Sequence, residues 1–365
     1  MSFTSRFRAN SNSKCFIIAE AGVNHNGDIN LAKKLVDIAK EAEVDAVKFQ
    51  TWITEDLTTD YSPKADYQKV QSDDETQYQM LKNLELSYDQ FIEIKNYCID
   101  KKVIFLSTPD EEKSLDFLVD LGINLIKIGS GETNNLIFLE QVAKKNLPII
   151  LSTGMSDIPE IQRAVDSIIK FNNNLTLLHC TSSYPTMVSD VNMRAMSTIK
   201  EQFGLTVGYS DHTTRIDVPL VAISEGAKVI EKHFTFDKLA DGPDHQASLS
   251  PNELKTMVKM IREFENMNSI ERAKRLSKIP DLETILGDTS KFITSDSLEN
   301  KKVITKSIVS KEFLKKNTKL ELSHLSFKRT GLKTGFSASE YHLVIDKITK
   351  KDLFKDDIIE QDSLL

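Results

Sequence analysis

Hydrophobic and polar positions alternate with a regular rhythm along the first two-thirds of the chain. Short apolar runs end in small or polar residues, and each is followed by an amphipathic stretch. The runs cover residues 15–21, 45–51, 103–108, 125–130, 148–153, 175–181, 206–210 and 229–235. Between them, residues 31–43 carry Leu31, Leu35, Ile38, Ala39 and Ala42 at helical spacing. Residues 111–121, 136–145, 160–171, 193–203 and 217–226 read the same way. Ser250 as N-cap and Pro251 at the first helical position open another helix, over 251–264. Eight strands alternating with helices over about 250 residues predict an α/β fold, a (β/α)8 TIM barrel. No G-x-G-x-x-G follows any run, which disfavours a doubly wound nucleotide-binding sheet.

Two departures from the rhythm divide the chain further. Residues 54–102 are too long for a single connection, and hold a Tyr- and Gln-rich stretch at 66–79 before a helix starting near Ser87. Long insertions of this kind often cover a barrel's active site. Around residue 266 the periodicity decays. The chain is read as a catalytic barrel over 1–268, a polar linker over 269–301, and a small, mostly β domain over 302–365. Short β-like runs at 303–309, 320–327 and 341–348 mark that last part.

Composition narrows the function. The chain has 365 residues, 40% hydrophobic and 28% charged, with net charge −7. That balance argues against nucleic acid as a partner. No apolar run approaches a membrane span, and the polar start lacks the apolar middle of a secretory signal. The three cysteines form no C-x-x-C pair, so neither a disulfide framework nor a thiolate zinc site is indicated. A cytoplasmic protein is expected.

Barrel active sites lie at the carboxyl ends of the strands. Here nearly every strand end is polar where a packed interior would be Val, Ile or Leu. Glu20 ends the first strand. Lys48 and Gln50 share one face of the second by two-residue alternation. Thr108, Lys127 with Ser130, and Ser152 follow on strands three to five. The sixth ends in 179–185, His-Cys-Thr-Ser-Ser-Tyr-Pro, the seventh in Ser210-Asp211-His212, and the eighth carries Glu231 and His233 on one face. Two lysines among hydroxyls suit a phosphate and a carboxylate; a Schiff-base lysine is the rival reading. His212 and His233 on adjacent strands, with Glu20 across the closure, suit one divalent cation. Manganese is expected, with magnesium or cobalt as alternatives. His25, His179 and His245 are weaker candidates; His179 faces inward by spacing, with a structural role equally open to it.

These stretches, taken in order, resemble the sialic acid synthase (N-acetylneuraminate synthase) family, which includes legionaminate, pseudaminate and spore-coat polysaccharide synthases. The resemblance is carried by IAEAGVNHNG at 18–27, VKFQ at 47–50, LSTP at 106–109, KIGSGE at 127–132, ILSTGM at 150–155, HCTSSYP at 179–185, GYSDH at 208–212, EKHFT at 231–235 and GPDH at 242–245. The C-terminal part resembles the family's antifreeze-like (SAF) domain. It carries Lys328-Arg329-Thr330-Gly331 where the family has Lys-Arg-Pro-Gly.

The resemblance implies a transferase that condenses phosphoenolpyruvate with an N-acetylated amino sugar and water. Lys48, Thr108, Lys127, Ser130, Ser182 and Ser210 would hold phosphoenolpyruvate. His212 and His233 would hold the metal. Gln50, Tyr184, Asp244 and Arg329 would hold the sugar, Arg329 reaching across a domain-swapped homodimer. Glu20 would act in acid–base chemistry beside Lys48 and Lys127. The main expectation is N-acetylneuraminate synthase with N-acetylmannosamine as acceptor. A legionaminate or pseudaminate synthase using a diacetamido-trideoxy hexose is the alternative, and a catalytically inactive sugar-binding protein the reading from another class. A phosphorylated acceptor would need further cations at the strand ends, where none is spare.

Overall fold

The computed structural model describes residues 14–69, 74–331 and 334–365. The first thirteen residues, read above as a polar leaderless start, lie outside the described residues. Eight strands form one parallel sheet: β1 (Phe16–Gly22), β2 (Ala46–Thr51), β3 (Ile104–Pro109), β4 (Ile126–Ile128), β5 (Ile149–Ser152), β6 (Leu175–Cys180), β7 (Thr206–Asp211) and β8 (Val229–His233). They run in the order β3-β2-β1-β8-β7-β6-β5-β4. The two ends of that order, β3 and β4, lie side by side, so the sheet curls into a (β/α)8 barrel.

Strand alternation builds the site. Phe16, Ile18, Ala46, Leu106, Leu125, Ile150, Leu178 and Val229 pack together as an apolar plug inside the barrel. Two residues further along the same faces stand Glu20, Lys48, Thr108, Lys127, Ser152, Cys180 and Glu231. A single period-two step therefore carries the interior from apolar packing to buried charge. The outward faces pack against the surrounding helices in a second, larger core. The Ile29–Glu41 helix shows the logic: Asp28 caps its first amides, and Ala32, Leu35, Val36 and Ala39 bury one stripe.

The long insertion after β2 folds into three short helices, Thr54–Leu57, Asp66–Lys69 and Gln77–Leu84. The Tyr88–Lys101 helix follows, capped by Ser87. The 66–79 stretch is helical at both ends, and residues 70–73 within it lie outside the described residues.

The segment expected as a polar linker is ordered as helices Ser269–Leu276, Leu282–Leu286 and Ser295–Ile304. Each is preceded by a polar residue at its N-cap, Asn268, Asp281 and Thr294, and Ile279, Ile285 and Leu286 join the barrel core. The weak periodicity reflects helices too short to show a full stripe. Beyond them, β9 (Lys306–Ser310) pairs antiparallel with β10 (Leu325–Arg329). Ile308, Leu314, Leu320, Leu325, Val344, Leu353, Ile359 and Leu364 form a separate small core. The β-like run at 341–348 is instead a short helix, Tyr341–Val344, ending before a bridge at Ile348. Among the described residues no helix is long and apolar enough to cross a membrane.

Candidate active site

The strand ends surround a cavity of about 1060 Å³, counting its open mouth. At its floor sit two lysines and two glutamates, all buried. Lys48 Nζ lies 2.7 Å from Glu20 Oε2 and donates to Thr108 Oγ1 at 3.0 Å. Lys127 Nζ lies 3.2 Å from Glu231 Oε1 and donates to Ser152 Oγ at 2.8 Å. Glu231 also reaches Lys48 at 3.9 Å and accepts from Ser210 at 2.9 Å. Gln50 Nε2 donates to Glu20 Oε1 at 3.0 Å.

The four charges cancel, but not symmetrically. Burial pushes both carboxyls up, and the lysines oppose it. For Glu231, with Lys127 and Lys48 both near, the lysines win and hold it down to about 2. For Glu20, burial and the neighbouring Glu231 outweigh Lys48, and its carboxyl is pushed up to about 7. Burial lowers Lys127, whereas the two glutamates outweigh burial at Lys48 and raise it. The two carboxyls are thus driven in opposite directions, Glu231 toward its charged form by two lysines and Glu20 toward its protonated form by burial beside Glu231.

Above this floor, the His212 and His233 ring centroids are 5.6 Å apart. The His212 Nδ1 is 2.6 Å from the Thr181 carbonyl. A carbonyl only accepts, so Nδ1 carries the proton and Nε2 keeps its lone pair. Burial holds both imidazoles below the usual histidine range. The buried His233 Nδ1 has no hydrogen-bond partner among the described residues and lies 3.7 Å from Asp244 Oδ2. Two neutral imidazoles with an unsatisfied ring nitrogen fit a divalent cation with open coordination positions. Glu20, expected as a third ligand, is instead engaged by Lys48 and Gln50. No cluster of three or more His, Cys, Asp or Glu side chains fit to hold a metal occurs among the described residues.

The other sequence candidates separate cleanly. Ser130 and Ser182 hydroxyls are 3.1 Å apart at the cavity's edge. The Tyr184 ring lies tilted against His212 with centroids 4.3 Å apart, and its peptide bond to Pro185 is cis. Asp244 lines the cavity, and burial pushes its carboxyl up to about 6. Gly22 adopts φ +52 where β1 ends, a left-handed backbone conformation that favours glycine, beside Glu20, Asp244 and Gln50. His179 does not reach the site. Its neighbours Leu178 and Cys180 point inward, so it faces the helices and lies 2.9 Å from the Val191 carbonyl. His25 packs on Phe49, and His245 bonds Thr235 and Asn26. Asp211, from the same motif as His212, pairs at 2.6 Å with Lys232 on the outward face.

The C-terminal unit packs at one side of the mouth. Arg329 lines the cavity of its own chain, 3.8 Å from Asp110; its expected arrival from a partner is not needed to place it there. Thr59 N and Thr58 Oγ1 donate to the Arg329 carbonyl, and Lys306 reaches the Asp110 carbonyl and Glu132. Thr330, where the family has proline, is buried, and Gly331 turns against Pro63. The substitution leaves Arg329 in reach of the cavity.

Sequence reasoning placed Glu231 and Ser152 among the polar strand ends but gave them no role, although both sit at alternation positions shared with chosen ones. It also missed Asn300, whose amide donates to the Ser182 carbonyl at 2.8 Å, because no local pattern links residue 300 to a barrel mouth.

The NeuB family model matches residues 35–272. The chain is 43% identical to the N,N'-diacetyllegionaminic acid synthase of Legionella pneumophila over 92% of this chain and 90% of that one. It is 33% identical to the human N-acetylneuraminate-9-phosphate synthase, over 95% and 92%. Its structure matches that of the Bacillus subtilis spore coat polysaccharide biosynthesis protein SpsE with TM-score 0.80 and 31% identity, covering 97% of this chain and 96% of that one. The chain therefore belongs to the NeuB family and is a carbon–carbon bond-forming transferase of the sugar-acid synthase class.

Proposed function

We propose that the chain is a legionaminate-type synthase, joining phosphoenolpyruvate to a 2,4-diacetamido-2,4,6-trideoxy hexose in its open aldehyde form. The observation that carries the chemistry is the charge-balanced floor of Lys48, Lys127, Glu20 and Glu231 beside two neutral imidazoles. The choice of acceptor is supported by the higher identity to the legionaminic acid synthase than to the human neuraminate-9-phosphate synthase. It replaces N-acetylmannosamine as the leading acceptor. The chain's C-terminal unit is read as the family's antifreeze-like cap.

Lys48 and Lys127 would hold the phosphate and carboxylate, with Thr108, Ser130 and Ser182 as hydroxyl donors. Ser210 acts on this cluster through Glu231. His212 and His233 would hold a divalent cation, manganese first. When bound, it supplies Lewis-acid polarisation of an aldehyde oxygen. Gln50, Tyr184, Asp244 and Arg329 would orient the sugar.

The π pair of phosphoenolpyruvate forms a bond from its C3 to the aldehyde carbon, and the aldehyde oxygen takes up the proton that the added water releases by way of Glu20. Water adds to C2 and gives its proton to the Glu20 carboxylate. The bond from C2 to the phosphate oxygen then breaks, phosphate leaves with that electron pair and takes up the proton of the new C2 hydroxyl, and an α-keto acid remains. Glu231 stays ionised throughout and keeps Lys127 charged.

Phosphate release from phosphoenolpyruvate tests the reading, with each sugar in turn, with EDTA and after manganese is restored. Release that requires the diacetamido sugar and the metal is expected. Faster release with N-acetylmannosamine would return the acceptor to the neuraminate precursor. No release with either would count against catalysis.

A further inference from the structure

We propose that Val23, Met80, Leu81 and Leu84 form the subsite for the far end of the acceptor sugar, and select a methyl terminus over a hydroxymethyl or phosphorylated one. The assignment rests on the reading of this cavity as an amino-sugar aldehyde site.

These four residues belong to a small apolar cluster with Trp52 and Leu57. Two facts separate them from ordinary packing. All four line the cavity, whereas Trp52 and Leu57 do not. Three of them, Met80, Leu81 and Leu84, stand on one face of the Gln77–Leu84 helix, whose start is fixed by a Thr76–Gln79 capping box. The rest of the lining around this apolar wall is mostly charged, amide and hydroxyl groups; its other apolar side chains, Met155, Pro243 and Ile304, do not belong to this helix, and two of them, Met155 and Ile304, lie near Gly131.

The wall's position relative to the chemistry follows from a chain of contacts. The Tyr184 ring lies against His212, and the Tyr67 ring lies 5.0 Å from Tyr184. Gln68 donates to the Tyr67 hydroxyl at 3.2 Å. Gln77, the first residue of the wall's helix, donates to Gln68 at 3.3 Å. Two rings and an amide therefore separate the imidazoles from the wall. An open-chain hexose with its aldehyde at the imidazoles extends its other end along this path, so C6 meets Leu81 and Leu84 rather than a hydrogen-bond donor.

Charge argues the same way. Among the described residues lining the cavity, the lysines are at its floor, and the outer cation is Arg329, already beside Asp110. A 6-phosphate would bring two negative charges to this apolar wall, whose own side chains offer it neither a hydrogen bond nor a counter-charge.

An apolar pocket rejects an added hydroxyl by only about 10- to 100-fold, and that sets the expected preference. The test compares kcat/KM for two sugar pairs. One is N-acetylmannosamine with its 6-deoxy analogue. The other is 2,4-diacetamido-2,4,6-trideoxymannose with its 6-hydroxy congener. N-Acetylmannosamine 6-phosphate is the fifth acceptor. The wild type should favour the 6-deoxy member of whichever pair it uses and leave the phosphate unused. Leu81→Asn and Leu84→Asn should bring the ratio to within about threefold of unity while KM for phosphoenolpyruvate stays put. Leu84→Met should keep the preference.

A wild-type enzyme indifferent to the 6-position, or turning over the 6-phosphate comparably, would overturn the assignment even if the asparagine variants failed to fold. Use of the monoacetamido pair alone, with the 6-deoxy preference intact, would sink the legionaminate reading and leave the wall standing. No release with any sugar would end both.

Discussion

Glu231 and Lys127 face each other at 3.2 Å across the barrel floor, on β8 and β4, and neither sees appreciable solvent. In the free enzyme each is the other's principal counter-charge. The arrival of an anionic substrate changes that balance, because the lysine then gains a second partner. The floor is built to be most strained when it holds an unmatched charge.

Replacing Glu231 by Gln keeps the shape and removes the negative charge. Breaking one side of a buried pair typically costs about 3–5 kcal/mol. Two lysines would then share Glu20 alone. The expected result is a clear fall in Tm without substrate, and a larger Tm gain on adding phosphoenolpyruvate than the wild type shows. Differential scanning calorimetry with and without the anion measures both. Equal gains in variant and wild type would mean the substrate does not meet this pair.

Glu20 sets the expected pH dependence. Its carboxyl is raised to about 7, and the proposed role requires the ionised form. The rate, as kcat/KM, should therefore rise as pH climbs through about 7 and level off above. The stability term runs the other way. A carboxyl raised in the folded state gives a contribution fully present below its unfolded value and lost as pH rises through about 7. Glu20→Gln should remove the rise in rate and flatten stability between about pH 5 and 8. The substrate phosphate titrates near 6 as well, so the difference between variant and wild-type profiles is the quantity to read. A variant profile superimposable on the wild type would rule out Glu20 as the base.

The barrel was legible because its physics is local. Period-two faces and capped helices mark every strand to within one or two residues, and they also bring Glu20, Lys48, Lys127 and His233 to one end. What stayed hidden depended on long-range contact. The helices between 269 and 304 are short and draw their order from packing on the barrel, so periodicity alone reads them as linker. His179 was misplaced because its direction depends on where β6 begins its alternation, and Leu178 takes the inward position. The wall at Met80, Leu81 and Leu84 has a clear helical stripe, but nothing in the stripe says that a cavity lies against it.

The two imidazoles should bind the cation without Glu20. His212→Asn and His233→Asn are each expected to abolish tight manganese binding, read by electron paramagnetic resonance of the free ion. Glu20→Gln should retain it within about tenfold. Activity is not needed for this readout. Loss of manganese binding in Glu20→Gln comparable to the histidine variants would restore the carboxylate to the ligand set. Thr181 contributes only its carbonyl to His212, so side-chain changes at Thr181 should leave metal binding nearly unchanged.

Arg329 is the clearest test of the C-terminal unit. Its Nε is buried without a hydrogen-bond partner among the described residues, and its nearest carboxylate is 3.8 Å away. A guanidinium held so loosely in a cavity is available to a ligand oxygen. A hydrogen bond to a charged group is worth about 1.5–3 kcal/mol, so Arg329→Ala should lower kcat/KM for the sugar by about 10- to 100-fold. KM for phosphoenolpyruvate, which is held at the floor, should hardly move. A uniform loss for both substrates would instead mean that the unit has come off the barrel. Lys306→Met is the control for that outcome, since it breaks the buried contacts to Glu132 and the Asp110 carbonyl while keeping the Arg329 side chain itself. Mixing Arg329→Ala with Glu231→Gln decides which barrel the arginine serves. Capping within one chain, the arrangement described above, predicts no recovery in the mixture. Recovered activity would show that two chains exchange their C-terminal units.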